Sequence, residues 1–170
     1  MFSGTLSYIF NKFSDGKNRD GPSFSSIVSI AQQEGYTVSV VCRMPTLPEW
    51  TSRTKIRISN LRAVCKYLQE PNPADDLNGA DVARKLTILS RFIPSLREKL
   101  PDGYKSVSVK SLVPSALEGV ISGHEFIERL PEHDQEFEKL RSDAFAEGKA
   151  LRFVGVIDIA AGTIKADLER

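Results

Sequence analysis

Four carboxylates and one lysine fall within a single short stretch of this sequence. Residues 70–85 read Glu-Pro-Asn-Pro-Ala-Asp-Asp-Leu-Asn-Gly-Ala-Asp-Val-Ala-Arg-Lys. A lysine held against a carboxylate can carry and deliver a proton, and further carboxylates can receive a cationic ligand. For that chemistry Asp81 and Lys85 must meet. Four apart on a helix, their Cβ atoms come within about 5–6 Å. The helix is written into the sequence, with Asn78 as a good N-cap and Val82, Leu86 and Leu89 recurring behind it. Pro71 and Pro73 stiffen the loop ahead of it. Glu70, Asp75 and Asp76 are thereby carried to the same helix end. On spacing alone a plainer alternative stays open: acids complementing the helix dipole, plus one surface ion pair.

The surrounding sequence supplies elements to position this stretch. Residues 1–13 read as a helix with Ser3 or Thr5 near its cap and Leu6, Ile9, Phe10 and Phe13 as its apolar stripe. The N–H groups of Gly4 and Thr5 at its start could face an anion, although an ordinary Ser/Thr cap explains the pattern as well. A polar, glycine-bearing loop follows. Residues 23–34 form a second helix, burying Phe24, Ile27, Val28, Ile30 and Ala31 and stopped by Gly35. Beyond the acidic stretch, 105–113 alternate as a half-buried strand through Val107 and Val109. Residues 114–121 and 122–130 read as short helices. Residues 131–148 read as a longer one, with Pro131 at N1 and Phe137, Leu140, Ala144 and Phe145 inward. A β-hairpin over 150–159 and 163–168 turns around Ala161-Gly162.

At 170 residues and net charge +1, the chain suits one domain with a real core and has no charge field pointing to nucleic acid or a membrane. No apolar run reaches the ~18–20 residues of a spanning helix, so a soluble cytoplasmic protein is the expectation. Cys42 and Cys65 make no metal-ligand pattern, and His124 and His133 have no partner pattern; no metal site is expected.

Three motifs together resemble homoserine dehydrogenase, most closely the fungal type. They are the 70–85 stretch, Phe2-Ser-Gly-Thr-Leu-Ser-Tyr-Ile-Phe10 and Leu151-Arg-Phe-Val-Gly155. The resemblance implies an α+β fold, a mixed sheet covered by helices, incomplete and lacking the N-terminal Rossmann domain. It implies interconversion of L-homoserine and L-aspartate 4-semialdehyde with NAD(P), on the way to threonine, methionine and isoleucine, in a homodimer. By the same resemblance Asp81 and Lys85 are the catalytic pair. Glu70 receives the substrate ammonium with the help of the Tyr36 backbone, and Gly4, Thr5 and Asp76 complete the substrate site. Asp75 is structural. No Gly-x-Gly-x-x-Gly occurs, so no cofactor-binding residue is assigned. The chain reads as a fragment expected to be inactive alone. A folded non-catalytic remnant or an interaction module is the alternative.

The resemblance covers 1–37 and 70–170 and is interrupted by 38–69. That segment holds both cysteines, the sole tryptophan (Trp50), six basic residues and one acidic residue. Its charge is +5, against −4 for the rest of the chain. Its charges lack any period, which argues against a nucleic-acid-binding loop, and it is expected to be disordered. Val38-Ser39 can be encoded GTAAGT, Ser59-Asn60 can contain CTAAC, and Gln69 can be CAG. These are splice-donor, branch-point and acceptor sequences, so a translated intron is expected, with a lineage-specific surface loop as the alternative. Sequencing of spliced messages across the segment decides between them.

Overall fold

A computed structural model describes residues 3–37 and 72–170. The expectations placed on 38–69 and on Glu70 lie outside the described residues.

Helix α1 (Gly4–Phe13) starts at Ser3, whose Oγ accepts the Leu6 N–H at 3.2 Å, and buries Leu6, Ile9, Phe10 and Phe13 as its spacing requires. Helix α2 (Phe24–Gln33) packs on it through Phe24, whose ring meets Phe13 edge-on at 5.4 Å. Gly35, at φ 77°, ends α2. The N–H groups of Gly35 and Tyr36 reach back to the carbonyls of Gln32 and Ala31, closing a Schellman turn. Ile30 is 40% exposed rather than buried, because the α2 surface that meets α1 is carried by Ile27, Val28 and Ala31.

After α3 (Pro73–Leu77) and α4 (Ala80–Ser90), helices α5 (Gly123–Arg129) and α6 (Asp134–Ala146) complete the helical layer. Ser122 caps α5 as its spacing to Glu125 suggests. The long helix expected over 131–148 is divided: Leu130–His133 form a 3-10 turn containing Pro131, and α6 begins only at Asp134. That residue has a further role. Its carboxylate accepts the Ser25 N–H at 2.8 Å and the Ser25 hydroxyl, capping α2 from the far end of the chain.

Among the described residues the sheet has three strands, β1 (Ser108–Val109), β2 (Arg152–Asp158) and β3 (Thr163–Glu169), in the order β1-β3-β2. β2 and β3 pair antiparallel, and β1 pairs parallel to β3, so the sheet is mixed. The hairpin closes with Asp158 opposite Thr163, and the Asp158 carboxylate accepts the Ala161 N–H at 2.9 Å. Phe153, Gly155 and Ile157, opposite Leu168, Ala166 and Ile164, share the face turned to the helices.

Two expected elements are shorter than their patterns. Of 105–113 only Ser108–Val109 is strand. A 3-10 turn over Gly103–Ser106 consumes the beginning, and the Ser111 hydroxyl takes the Val113 N–H beyond the end. Residues 114–121 contain only the 3-10 turn Ser115–Leu117, cut off by Gly119 at φ 87°.

One core residue breaks the apolar pattern of α6. Arg141, 4% exposed, donates to the carbonyls of Pro22 at 3.0 Å, Phe13 at 3.4 Å and Gly21 at 3.4 Å, pairs with Glu138, and lies over the Phe13 ring at 4.8 Å. It ties the 14–22 loop to the helices. Arg141→Ala strands the buried Phe13 carbonyl and takes the donor from the partly buried contacts to Pro22 and Gly21, and a loss of about 2 kcal/mol is expected. The measurement is the denaturation midpoint at unchanged slope. A variant as stable as the parent would show that water replaces the guanidinium without cost.

Candidate active site

The position of the site is set by α3 and α4, which meet at Gly79. Asn72 caps α3: its Oδ1 accepts the Ala74 N–H at 3.1 Å, and its Nδ2 donates to the carbonyl of Val120 at 3.1 Å. The stretch before Asn78, expected as loop, is therefore partly helical. Asn78 is not the N-cap of α4; it closes α3, and its Oδ1 accepts the Ala80 N–H at 2.8 Å. Gly79 is the cap residue, left-handed at φ 72°. A Cβ there would lie 2.7 Å from Val109 Cγ1 and 3.0 Å from Phe153 Cζ, so glycine is demanded by both backbone and space.

From this start α4 buries Val82, Ala83 and Leu86 and presents Asp81 and Lys85 on its open side. Lys85 Nζ donates to Asp81 Oδ2 at 2.6 Å, with both side chains roughly half exposed. The opposite face is seated on the sheet. A Cβ on Gly155 would approach Leu86 Cδ2 to 2.9 Å, so helix and strand touch where glycine permits it. The pair thus stands on a helix fixed by the core.

Thr5 and Asp76 meet beside it, although 71 residues separate them. Thr5, 5% exposed, places its hydroxyl 2.7 Å from the Tyr36 carbonyl oxygen and 3.1 Å from Asp76 Oδ1. Asp76 Oδ2 is buried with no partner among the described residues. Burial pushes the Asp76 carboxyl up to about 6. The Thr5 hydrogen bond opposes this, Asp75 and Asp81 reinforce it by repulsion, and Lys85 opposes it. The folded state therefore holds the proton more tightly than the unfolded chain. The stability this adds is full below the ordinary value of 3.8 and is lost as pH rises through about 6. Above that, an ionised Asp76 is a cost the fold carries, as functional sites often do.

Gly4 opens α1, and a Cβ on it would meet nothing within 4 Å, leaving the first turn accessible. Tyr36 is 44% exposed and its ring stacks on Tyr8, centroids 4.2 Å apart, which fixes the backbone whose carbonyl Thr5 touches. Asp75 is exposed. A separate cleft of about 690 Å³, lined by Asn72, Asp75, Asn78 and Glu118 among others, includes none of Thr5, Asp76, Asp81 or Lys85. The structure thus brings together Thr5, Tyr36 and Asp76, and Asp81 with Lys85. Tyr8 went unrecognised in the sequence: it lies 28 residues from Tyr36, and no local pattern links them. No cluster of three potential metal ligands occurs among the described residues.

The profile of the family described as homoserine dehydrogenase matches residues 60–169. Homoserine dehydrogenase of Schizosaccharomyces pombe is 41% identical over 170 residues, which is 100% of this chain and 36% of that protein. The corresponding enzyme of Saccharomyces cerevisiae is 36% identical over 170 residues, 100% of this chain and 37% of its own length. A crystal structure of a Candida auris protein of unknown function superposes with a TM-score of 0.73 at 35% identity, covering 99% of this chain and 37% of that one. The chain thus spans little more than a third of these relatives. The profile match runs through α3, the Asp81–Lys85 helix and the mixed sheet. This chain belongs to the homoserine dehydrogenase family.

Proposed function

We propose that this chain supplies the substrate half of a site that interconverts L-homoserine and L-aspartate 4-semialdehyde. The observation that carries this is the Lys85–Asp81 contact of 2.6 Å on a core-seated helix, with Asp76 close enough to be influenced by both charges. Lys85, as an ammonium, donates a proton to the alkoxide that forms when the aldehyde is reduced. In the oxidative direction its neutral form, or a water it holds, accepts the hydroxyl proton. Asp81 orients Lys85 and balances its charge. Glu70, with the Tyr36 carbonyl, receives the substrate ammonium. Gly4, Thr5 and Asp76 line the rest of the site.

NAD(P) supplies the hydride chemistry when bound. The described residues do not fit it: none of the three strands runs through a glycine turn into an α-helix, and no group here is assigned to the dinucleotide. The family's homodimer is carried over as part of the same proposal.

The test is Glu70→Ala in a catalytically complete enzyme containing this chain. A lost charge-assisted hydrogen bond of about 1.5–3 kcal/mol raises the homoserine KM about 10–100-fold. Turnover stays near normal, because the contact exists in ground and transition states alike. A collapsed kcat with unchanged KM would remove Glu70 from the binding role.

A further inference from the structure

We propose that Thr5 is a positioning residue that couples the proton on Asp76 to the Tyr36 carbonyl, which offers a ligand's ammonium both of its lone pairs when Asp76 is ionised and only one when Asp76 is protonated. The Thr5 hydroxyl has one hydrogen and stands within bonding distance of two oxygens, Tyr36 O at 2.7 Å and Asp76 Oδ1 at 3.1 Å. A carbonyl only accepts, and so does an ionised carboxylate. Both contacts can be hydrogen bonds together only when Asp76 carries a proton. Asp76 then donates to Thr5 Oγ1, and Thr5 donates onward to Tyr36.

Ionising Asp76 reverses the chain. A charged acceptor binds a hydroxyl about twice as strongly as a neutral one, so the Thr5 hydrogen turns to Asp76. Tyr36 O then has no donor from Thr5 and both lone pairs available. Asp76 Oδ2, buried with no partner among the described residues, favours the neutral form. Among the described residues, the charged groups acting on Asp76 are Asp75 from its own helix and Asp81 and Lys85 from α4, and α1 contributes the uncharged Thr5. Burial, opposed by the Thr5 hydrogen bond and adjusted by these charges, places the switch near pH 6. The inference deepens the homoserine reading and rests on it for the identity of the ammonium.

Carbon-13 NMR of the 170-residue chain tests the switch without substrate. The Asp76 carboxyl is expected to titrate near pH 6. The Tyr36 carbonyl carbon, which senses hydrogen bonding, is expected to shift with the same midpoint. In Thr5→Val the Asp76 midpoint rises, because a bond favouring the anion is gone, and the Tyr36 response disappears. Thr5→Ser retains both. A merely structural threonine would leave the Tyr36 response in place in Thr5→Val, and that result overturns the proposal. So does an Asp76 midpoint at its ordinary value of 3.8.

Homoserine titration of the same chain reads the consequence. With an ionised fraction near one in eleven at pH 5, affinity is expected to fall between pH 8 and pH 5 by up to about tenfold, the limit reached if protonation of Asp76 abolishes the carbonyl contact. Equal affinity at both pH values overturns the coupling to ligand. No binding at any pH, with the NMR responses intact, overturns the homoserine reading and upholds the proton switch.

Discussion

Lys85→Ala is expected to cost a catalytically complete enzyme containing this chain about 10²–10⁴-fold in kcat, with the homoserine KM little changed. Proton transfer to the developing alkoxide exists only in the transition state, so its loss appears in turnover rather than in binding. Asp81 belongs to the same unit. Its carboxylate holds Lys85 Nζ at 2.6 Å across one helical turn, and α4 beneath them is braced by Leu86 against Gly155. Asp81→Ala is expected to fall in the same class. The double variant should lose less than the product of the two single losses, because removing either member already dismantles the pair. Steady-state kinetics on the three variants, after circular dichroism shows each is folded, is the measurement. If Lys85→Ala retained near-normal kcat and only raised KM, the lysine would be a ligand contact and the proton would move elsewhere.

Gly79→Val should remove about 2–5 kcal/mol of stability, a large part of what an ordinary domain has. Two independent penalties add. A β-branched residue in left-handed backbone costs about 1–2 kcal/mol or more. Overpacking costs about 1–3 kcal/mol, since even its first carbon would sit 2.7 Å from Val109 and 3.0 Å from Phe153. Gly79→Asn separates them, because asparagine tolerates this backbone but brings the same Cβ. The expected order of denaturation midpoints is glycine, then asparagine, then valine. An asparagine variant as stable as glycine would mean that Val109 and Phe153 yield freely and that only the backbone matters. Valine and asparagine falling equally would put the whole cost on packing.

What could be read in the sequence divides by the range of the forces involved. The stripe of α1 and the Asp81–Lys85 face follow from a period of three to four residues, and both appear in the structure as expected. The hairpin was legible because both strands and their turn are contiguous. β1 was overextended because a strand is as long as its partner allows. The bond from the Lys110 N–H to Ala166 O is the last before the chain turns away. Helix α3 was missed for the opposite reason: two prolines suggested loop, while Pro73 at a first helical position suits a helix. Arg141, with Glu138 one turn before it, resembles any polar helix residue, since the carbonyls it binds lie 119 to 128 residues away. Resemblance named Thr5, Tyr36 and Asp76, but nothing local revealed that a single hydroxyl joins them.

The cap on α2 has a consequence for how the chain folds. Asp134, which closes that helix, is 109 residues from Ser25, and the Ser14 hydroxyl that accepts the Leu151 N–H is 137 residues from its donor. Helices α1 and α2 thus depend on partners synthesised more than a hundred residues after them. Long-range closure of this kind slows folding, because loop entropy is lost before the contacts return it. During synthesis the sides of α1 and α2 that Phe137 and the hairpin cover stay open until α6 and the hairpin emerge. An apolar surface left open for that interval is a site where a nascent chain can aggregate.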